Sequence, residues 1–438
     1  MKRDVSNRLL AWKKSKGRKP LILRGARQVG KTYILKEFAN LHFKNCLYVN
    51  FEFEKAARGI FERDLNPVRI IRDLQNTYKT SVEPEKTLII FDEIQACPEA
   101  LNSLKYFNEN APHYCIAAAG SLLGVRLGQV RGFPVGQVNF LDLHPLSFFE
   151  FLSACGRARL RDFLETSSME ELKASGIHQN AMDALTEYIL VGGMPAVVAQ
   201  HIKNPNDTES VRALQRELLA GYASDFAKYA DPGEAKKILT IWDSIPAQLA
   251  KENQKFMFKV VREGARAREY ESALQWLVGA GLIHKLEKVE NAQIPLRAYL
   301  DRTIFKIYFF DIGLLGALTD ISISLLADSP KLLGSFRGFL TENYVLQELV
   351  SNEKKVFAYW ESAGIAEIDL VLDYNGHIYP LEIKAGTDKR KHGLRIFQER
   401  HKTPIVYRAS AMPYLENDDV INYPLYLICR WPILPSPS

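Results

Sequence analysis

One stretch of eight residues constrains this chain more than any other. The apolar run Leu21–Arg24 gives way to Gly25-Ala26-Arg27-Gln28-Val29-Gly30-Lys31-Thr32, and a helical pattern follows over 33–38. Glycines at both ends of the loop permit a tight turn that aims backbone N–H groups inward at phosphate oxygens. In this reading Lys31 reaches the β- and γ-phosphates and Thr32 offers its hydroxyl to Mg²⁺. The helix that starts there presents its positive dipole end to the anion. A strand–loop–helix of this kind belongs to a parallel sheet. The next 120 residues supply its other strands, at 47–53, 87–91, 114–119 and 137–143, with helical patterns between them. The run at 87–91 is apolar without alternation, as expected of a strand covered on both faces. Helical crossovers make the pairing parallel and right-handed, which gives a three-layer α/β core.

Downstream residues corroborate the loop. Leu88-Ile-Ile-Phe-Asp92-Glu93 puts two carboxylates at the tip of a buried strand. Asp92 is expected to hold the metal and Glu93 to polarise the attacking water. The strand Tyr114-Cys-Ile-Ala-Ala-Ala-Gly-Ser121 ends in a hydroxyl placed to sense a γ-phosphate.

The second half carries a different signature. A helix over 342–350 precedes strand candidates at 356–360, 368–372 and His377–Ile383, then a helix over 391–399 and a strand at 404–408. Glu382 and Lys384 are two apart, so both side chains share one sheet face. The turn Tyr374-Asn-Gly-His377 closes a hairpin that brings Asp369 opposite them, and Glu342 supplies a further carboxylate. Carboxylates converging on a divalent ion beside a lysine are what metal-dependent phosphodiester hydrolysis needs. The metal set expected here is Glu342, Asp369 and Glu382. In between, 151–230 is helical and polar, broken by Val191-Gly-Gly-Met-Pro195. The region 231–300 ends in Ile283–Val289 and is followed by a strand at 303–310. Three helices and a β-hairpin outline a winged helix, with Lys259, Arg262, Arg266 and Arg268 at its recognition helix.

Joined, these motifs resemble AAA-type ATPases fused to a DUF4143 domain, relatives of the archaeal ATPases in the STAND-like branch. The loop, the acidic strand, the Ala-Gly-Ser strand, Asp142-Leu-His-Pro145, Gly192-Gly-Met-Pro195 and Phe305-Lys-Ile-Tyr-Phe-Phe-Asp-Ile-Gly carry the likeness. The tail resembles the PD-(D/E)xK nuclease superfamily. The resemblance implies a P-loop AAA+ three-layer core (1–150), a helical lid (151–230) whose Pro195 packs near adenine, a winged-helix segment (231–330), and a C-terminal restriction-endonuclease-like α/β domain (331–438). Related chains often place a Gly-Arg step before the last core strand. Here Pro134-Val-Gly136-Gln137 stands there, and Arg126 and Arg131 are the arginines nearby.

Charge separates the functional classes only weakly. The net +6 is concentrated in residues 1–31, where eleven basic residues face one acidic, while 331–438 holds thirteen of each. Five cysteines without CxxC spacing read as reduced, and no apolar run reaches the ~18–20 residues of a membrane span. The expectation is a cytoplasmic protein that takes ATP and Mg²⁺, engages no membrane, and forms a homo-oligomer or binds a partner protein, with DNA as the target of its tail. The competing expectation is a regulatory ATP switch that recruits proteins through an inactive tail. A self-contained nucleotide kinase would leave the second half without a role.

Overall fold

The computed structural model describes residues 1–120, 136–251, 254–321, 334–352, 357–362, 364–386, 392–417 and 420–432. The chain divides into two compact units, Met1–His144 with Gln275–Leu282, and Pro145–Leu274 with Ile283–Ser438.

In the first unit the strands β1 (Leu21–Arg24), β2 (Asn45–Asn50), β3 (Thr87–Asp92), β4 (Cys115–Ala119) and β5 (Asn139–Asp142) form one sheet in the order β2-β3-β4-β1-β5. Every pairing is parallel. All residues of β3 and β4 are buried, which explains their unbroken apolar sequence. Ile89 and Phe91 pack with Leu47, Val49, Phe51 and Phe61 beneath the helices Lys55–Arg63, Pro67–Tyr78 and Pro98–Asn110. Phe51, Phe61 and Phe91 meet edge to face with centroids 5.4–5.5 Å apart. Leu88 and Ile90, one residue out of phase, face the other side of the sheet, and the helix Lys31–His42 packs on β2, β3 and β4. The topology leaves β4 between the strands that precede the two candidate active-site loops.

The second unit combines a helical part with an eight-stranded sheet. Its strands are β6 (Ile283–Val289), β7 (Leu300–Phe309), β8 (Phe357–Ser362), β9 (Ala366–Tyr374), β10 (His377–Ile383), β11 (Val406–Ser410), β12 (Leu415–Glu416) and β13 (Val420–Pro424). Their order is β12-β13-β11-β10-β9-β8-β6-β7. The helices Pro232–Leu249, Phe258–Val261 and Ala267–Gly279 do precede the β6–β7 hairpin. That hairpin is not a free wing, however. β6 pairs in parallel with β8, joining Glu287 to Ala358, Lys288 to Tyr359 and Val289 to Trp360. The boundary expected at 330/331 therefore runs through a continuous sheet. An isolated two-stranded hairpin would leave a ladder of unpaired backbone groups at its edge, and pairing with β8 satisfies them. It also buries Val289 with Trp360 and Phe397 in a single core.

The Gly-Gly-Met-Pro break is a packing knot of this unit. Gly193 N donates to Asp311 Oδ2 (2.7 Å), Leu314 N donates to Asp311 Oδ1 (2.9 Å), and Leu146 N donates to Gly193 O (2.7 Å). A Cβ on Gly193 would stand 2.2 Å from Leu146 O, and one on Gly313 would stand 2.3 Å from Val191 O. Burial pushes the Asp311 carboxyl up to about 6. Beside the knot, Glu348 accepts from Phe148 N (3.0 Å) and Tyr188 Oη (3.2 Å), and burial pushes it up to about 8. No single helix among the described residues is long and apolar enough to cross a membrane.

Because the atoms facing Gly193 are backbone and cannot rotate away, Gly193→Ala is expected to cost at least ~1–3 kcal/mol. Thermal unfolding followed by circular dichroism checks this, and an unchanged midpoint would contradict the close crossing.

Candidate functional site

The loop between β1 and the helix Lys31–His42 owes its shape to three residues at positive φ, Gly25 (145°), Gln28 (64°) and Gly30 (98°). At Gly25 the chain passes so close to β5 that a Cβ would lie 2.1 Å from Leu143 O. Lys31 is 7% exposed, and its Nζ donates to Gly25 O (2.9 Å) and Ala26 O (2.7 Å). The ammonium is thus held inside the loop it is expected to serve. Arg27 is exposed in part, and Val29 is buried. The N-terminal Arg3, itself buried, donates to Val29 O (3.1 Å) and His144 O (2.7 Å) and braces the loop from behind.

Asp92 lies at the C-terminal end of β3, 3% exposed. Its Oδ2 accepts from Thr32 Oγ1 (2.8 Å) and Tyr48 Oη (2.7 Å), and its Oδ1 from Glu93 N (3.1 Å). Glu93 follows in the left-handed region at φ 49° and accepts from Gln95 Nε2. The loop, the Thr32 hydroxyl and the two carboxylates therefore meet at one end of the parallel sheet, the end where α/β sheets take ligands. Thr32 and Asp92 offer hard oxygen donors to one point, a set that suits Mg²⁺. Ser121, Arg126, Arg131 and Pro134 lie outside the described residues.

Two supports of this site were not legible in the sequence. Tyr48 shares an Asp92 oxygen with Thr32, and Arg3 anchors the loop. Much of the remaining basic N-terminus is structural as well. Arg18 pairs with Glu85 (2.8 Å), Lys13 caps His42 O, and Lys19 donates to Gly136 O (2.5 Å).

In the second unit the Asn375-Gly376 turn, with both residues at positive φ, closes the β9–β10 hairpin as expected. Leu370 pairs with Leu381, so the next residues outward, Asp369 and Glu382, stand opposite each other. Ile383 N donates to Asp369 Oδ2 (2.6 Å), and Lys384 Nζ lies 2.8 Å from Glu382 Oε1. Glu382 Oε2 is buried with no hydrogen-bond partner among the described residues. Glu342, on the helix Gly334–Ser351, accepts from Gln254 Nε2 (3.0 Å) and Tyr308 Oη (3.2 Å). Burial and the Glu342 carboxylate push the Asp369 carboxyl up.

Sequence reasoning passed over a lysine here. Lys306, from β7, is 2% exposed, with its Nζ 2.5 Å from Glu367 Oε1 and 3.9 Å from Glu342 Oε2. The available signal was a lysine in an otherwise apolar and aromatic run, Phe305-Lys306-Ile307-Tyr308-Phe309. The acidic set of this unit does not fit a ready-made Mg²⁺ site. Among the described residues, ligand atoms of three candidate side chains come within 4.8 Å of one another only at Cys155, Glu187 and His201. There Glu187 already pairs with Arg157 (2.5 Å) and His201 (2.6 Å). Pro195 opens the helix Pro195–Lys203 in this second unit.

Comparison with known proteins bears on both ends of the chain. Residues 17–152 match the AAA domain family. That match falls almost wholly within the first unit. Residues 337–427 match a domain of unknown function (DUF4143), and 182–324 match another (DUF8612). An uncharacterised protein of Methanocaldococcus jannaschii is 24% identical over 221 residues, 50% of this chain. The chain matches only 43% of that relative's length. Among solved structures, a Walker-type ATPase of Pyrococcus abyssi aligns with 72% of this chain and 95% of its own, at 16% identity and a TM-score of 0.45. The Aeropyrum pernix Orc1 protein in complex with DNA aligns with 72% and 91%, at 14% identity and a TM-score of 0.28.

Burial lowers the Lys31 ammonium to about 8, against the opposing pull of Glu93 and Asp92. Polyphosphate favours the charged form, so its binding takes up a proton only above that pH. ATP affinity is therefore expected to be flat below pH 8 and to fall above it by up to ~10-fold per unit. Calorimetric titration across that range checks this. A profile flat to a full unit above pH 8 would contradict it.

Proposed function

We propose that this chain binds ATP with Mg²⁺ and hydrolyses it. The observation that carries the proposal is the Thr32–Asp92 hydrogen bond beside a lysine held within the loop. The loop amides of Gly25 to Gly30 cradle the phosphates, and Lys31 leaves the Gly25 and Ala26 carbonyls to meet the β- and γ-phosphates. Thr32 and Asp92 would hold Mg²⁺, which would supply positive charge against the charge that builds on the transferring phosphoryl group. Glu93 orients the attacking water and accepts its proton. Tyr48 keeps the Asp92 carboxylate turned toward Thr32. Ser121 as γ-phosphate sensor belongs to the same proposal, as does assembly with further copies or a partner protein.

The nucleotide cycle is proposed to govern engagement of DNA by the second unit. Supporting this, Lys259, Arg262, Arg266 and Arg268 are exposed around the start of the helix Ala267–Gly279. A second reading, an ATP switch that recruits proteins, is favoured by the balance of thirteen basic and thirteen acidic residues over 331–438. Salt separates the two, because phosphate contacts release counterions and give a steep salt slope.

Two substitutions divide the roles at the nucleotide site. Lys31→Ala removes charge-assisted bonds and is expected to weaken ATP binding by about 1.5–3 kcal/mol, roughly tenfold to over a hundredfold. Glu93→Gln is expected to keep binding while losing ~10²–10⁴-fold in turnover. Full ATPase activity in either folded variant would overturn the assignment.

A further inference from the structure

The nuclease-like centre of the second unit is tied to strands that the sequence places outside it. Lys306 of β7 reaches Glu367 of β9 at 2.5 Å. Lys255, which bridges to the Lys306 backbone, reaches Glu361 of β8 at 2.6 Å, and Lys288 of β6 stands 3.6 Å from the same carboxylate. Three lysines from the region before residue 310 thus meet glutamates of the β8–β9 pair.

Lys306 differs from the other two in where its charge ends. It is almost wholly buried, which disfavours the charge, yet Glu367 at 2.5 Å and Glu342 at 3.9 Å, with the field of Tyr308 and Asp369, keep its ammonium charged, and the Tyr359 ring centroid lies 5.1 Å away. A buried ammonium is tolerated only where carboxylates surround it, and those carboxylates would repel one another without a cation. The carboxylates expected to hold a metal are also committed elsewhere. Glu342 accepts at both oxygens, from Gln254 and Tyr308, Asp369 Oδ2 accepts from Ile383 N, and Glu382 Oε1 pairs with Lys384. Four of their six oxygens are engaged by the chain itself.

We propose that the Lys306 ammonium is the resident cation of this centre, taking the place that a divalent ion holds in a metal-dependent nuclease. The second unit then needs no metal for its fold and does not cleave phosphodiester bonds. This rests on reading Glu342, Asp369 and Glu382 as the metal positions of a nuclease-like site. It decides between the two tails considered above, in favour of one that binds without cutting.

The test is Mn²⁺ binding, read by electron paramagnetic resonance on the full-length chain without nucleotide. Asp92→Asn in the background removes the metal site of the first unit. With Lys306 intact, no stoichiometric Mn²⁺ site is expected. Lys306→Met should create one, at least tenfold tighter than any background binding, and adding Asp369→Asn should abolish it again. Stoichiometric Mn²⁺ on the Lys306 protein that Asp369→Asn removes would overturn the proposal. A folded Lys306→Met chain that gains no site would overturn it too, by removing the nuclease-like reading beneath it. Should Lys306→Met fail to fold, the Lys306 protein decides alone: absence of the Asp369-dependent site supports the proposal and its presence refutes it. ATP turnover by the chain with Asp92 intact reports on the first unit separately.

Discussion

A 2.8 Å hydrogen bond from Thr32 to Asp92 ties together the two loops on which the first unit depends. It joins residues sixty positions apart, and it exists because parallel pairing brings the ends of β1 and β3 to the same side of the sheet. β4, with every residue buried, separates those strands. On one side of the bond the loop is bent through Gly25 and Gly30 at positive φ and braced by Arg3. On the other, Tyr48 fixes the carboxylate. A lysine and two carboxylates are thereby held around one point, the kind of preorganisation that charge stabilisation draws on.

In the second unit the carboxylates of the corresponding region are likewise engaged by lysines, a tyrosine, a glutamine and a backbone N–H of the same chain. Three of this unit's glycines serve packing: Gly192, Gly193 and Gly313 let backbone segments cross around Asp311. The Gly-Met-Pro break that sequence suggests as a lid turn is a buried crossing point in this unit, where burial also raises Asp311 and Glu348.

What the sequence disclosed follows the range of the interactions involved. β1, β6 and β10 begin and end where local apolar patterning places them, and the Asn375-Gly376 turn alone sets the β9–β10 register. Lys31, Thr32, Asp92 and Glu93 could be picked out as candidates because each has a fixed offset from a strand end, and the fold brings them to the same end of the sheet. Tyr48, Arg3 and Lys306 were not, because their roles come from pairings across 44, 26 and 61 positions that no local pattern encodes. The same reason hid the largest difference in architecture. A helix–helix–helix–hairpin order suggests a free-standing winged helix, whereas the parallel pairing of β6 with β8 makes the hairpin part of the C-terminal sheet.

The loop around Lys31 is proposed as a nucleotide site. A structure of the chain with Mg²⁺ and a non-hydrolysable ATP analogue tests it most directly. Lys31 Nζ is expected to leave Gly25 O and Ala26 O for phosphate oxygens, with Thr32 and Asp92 facing the metal. A nucleotide bound elsewhere, with Lys31 still on those two carbonyls, would contradict it.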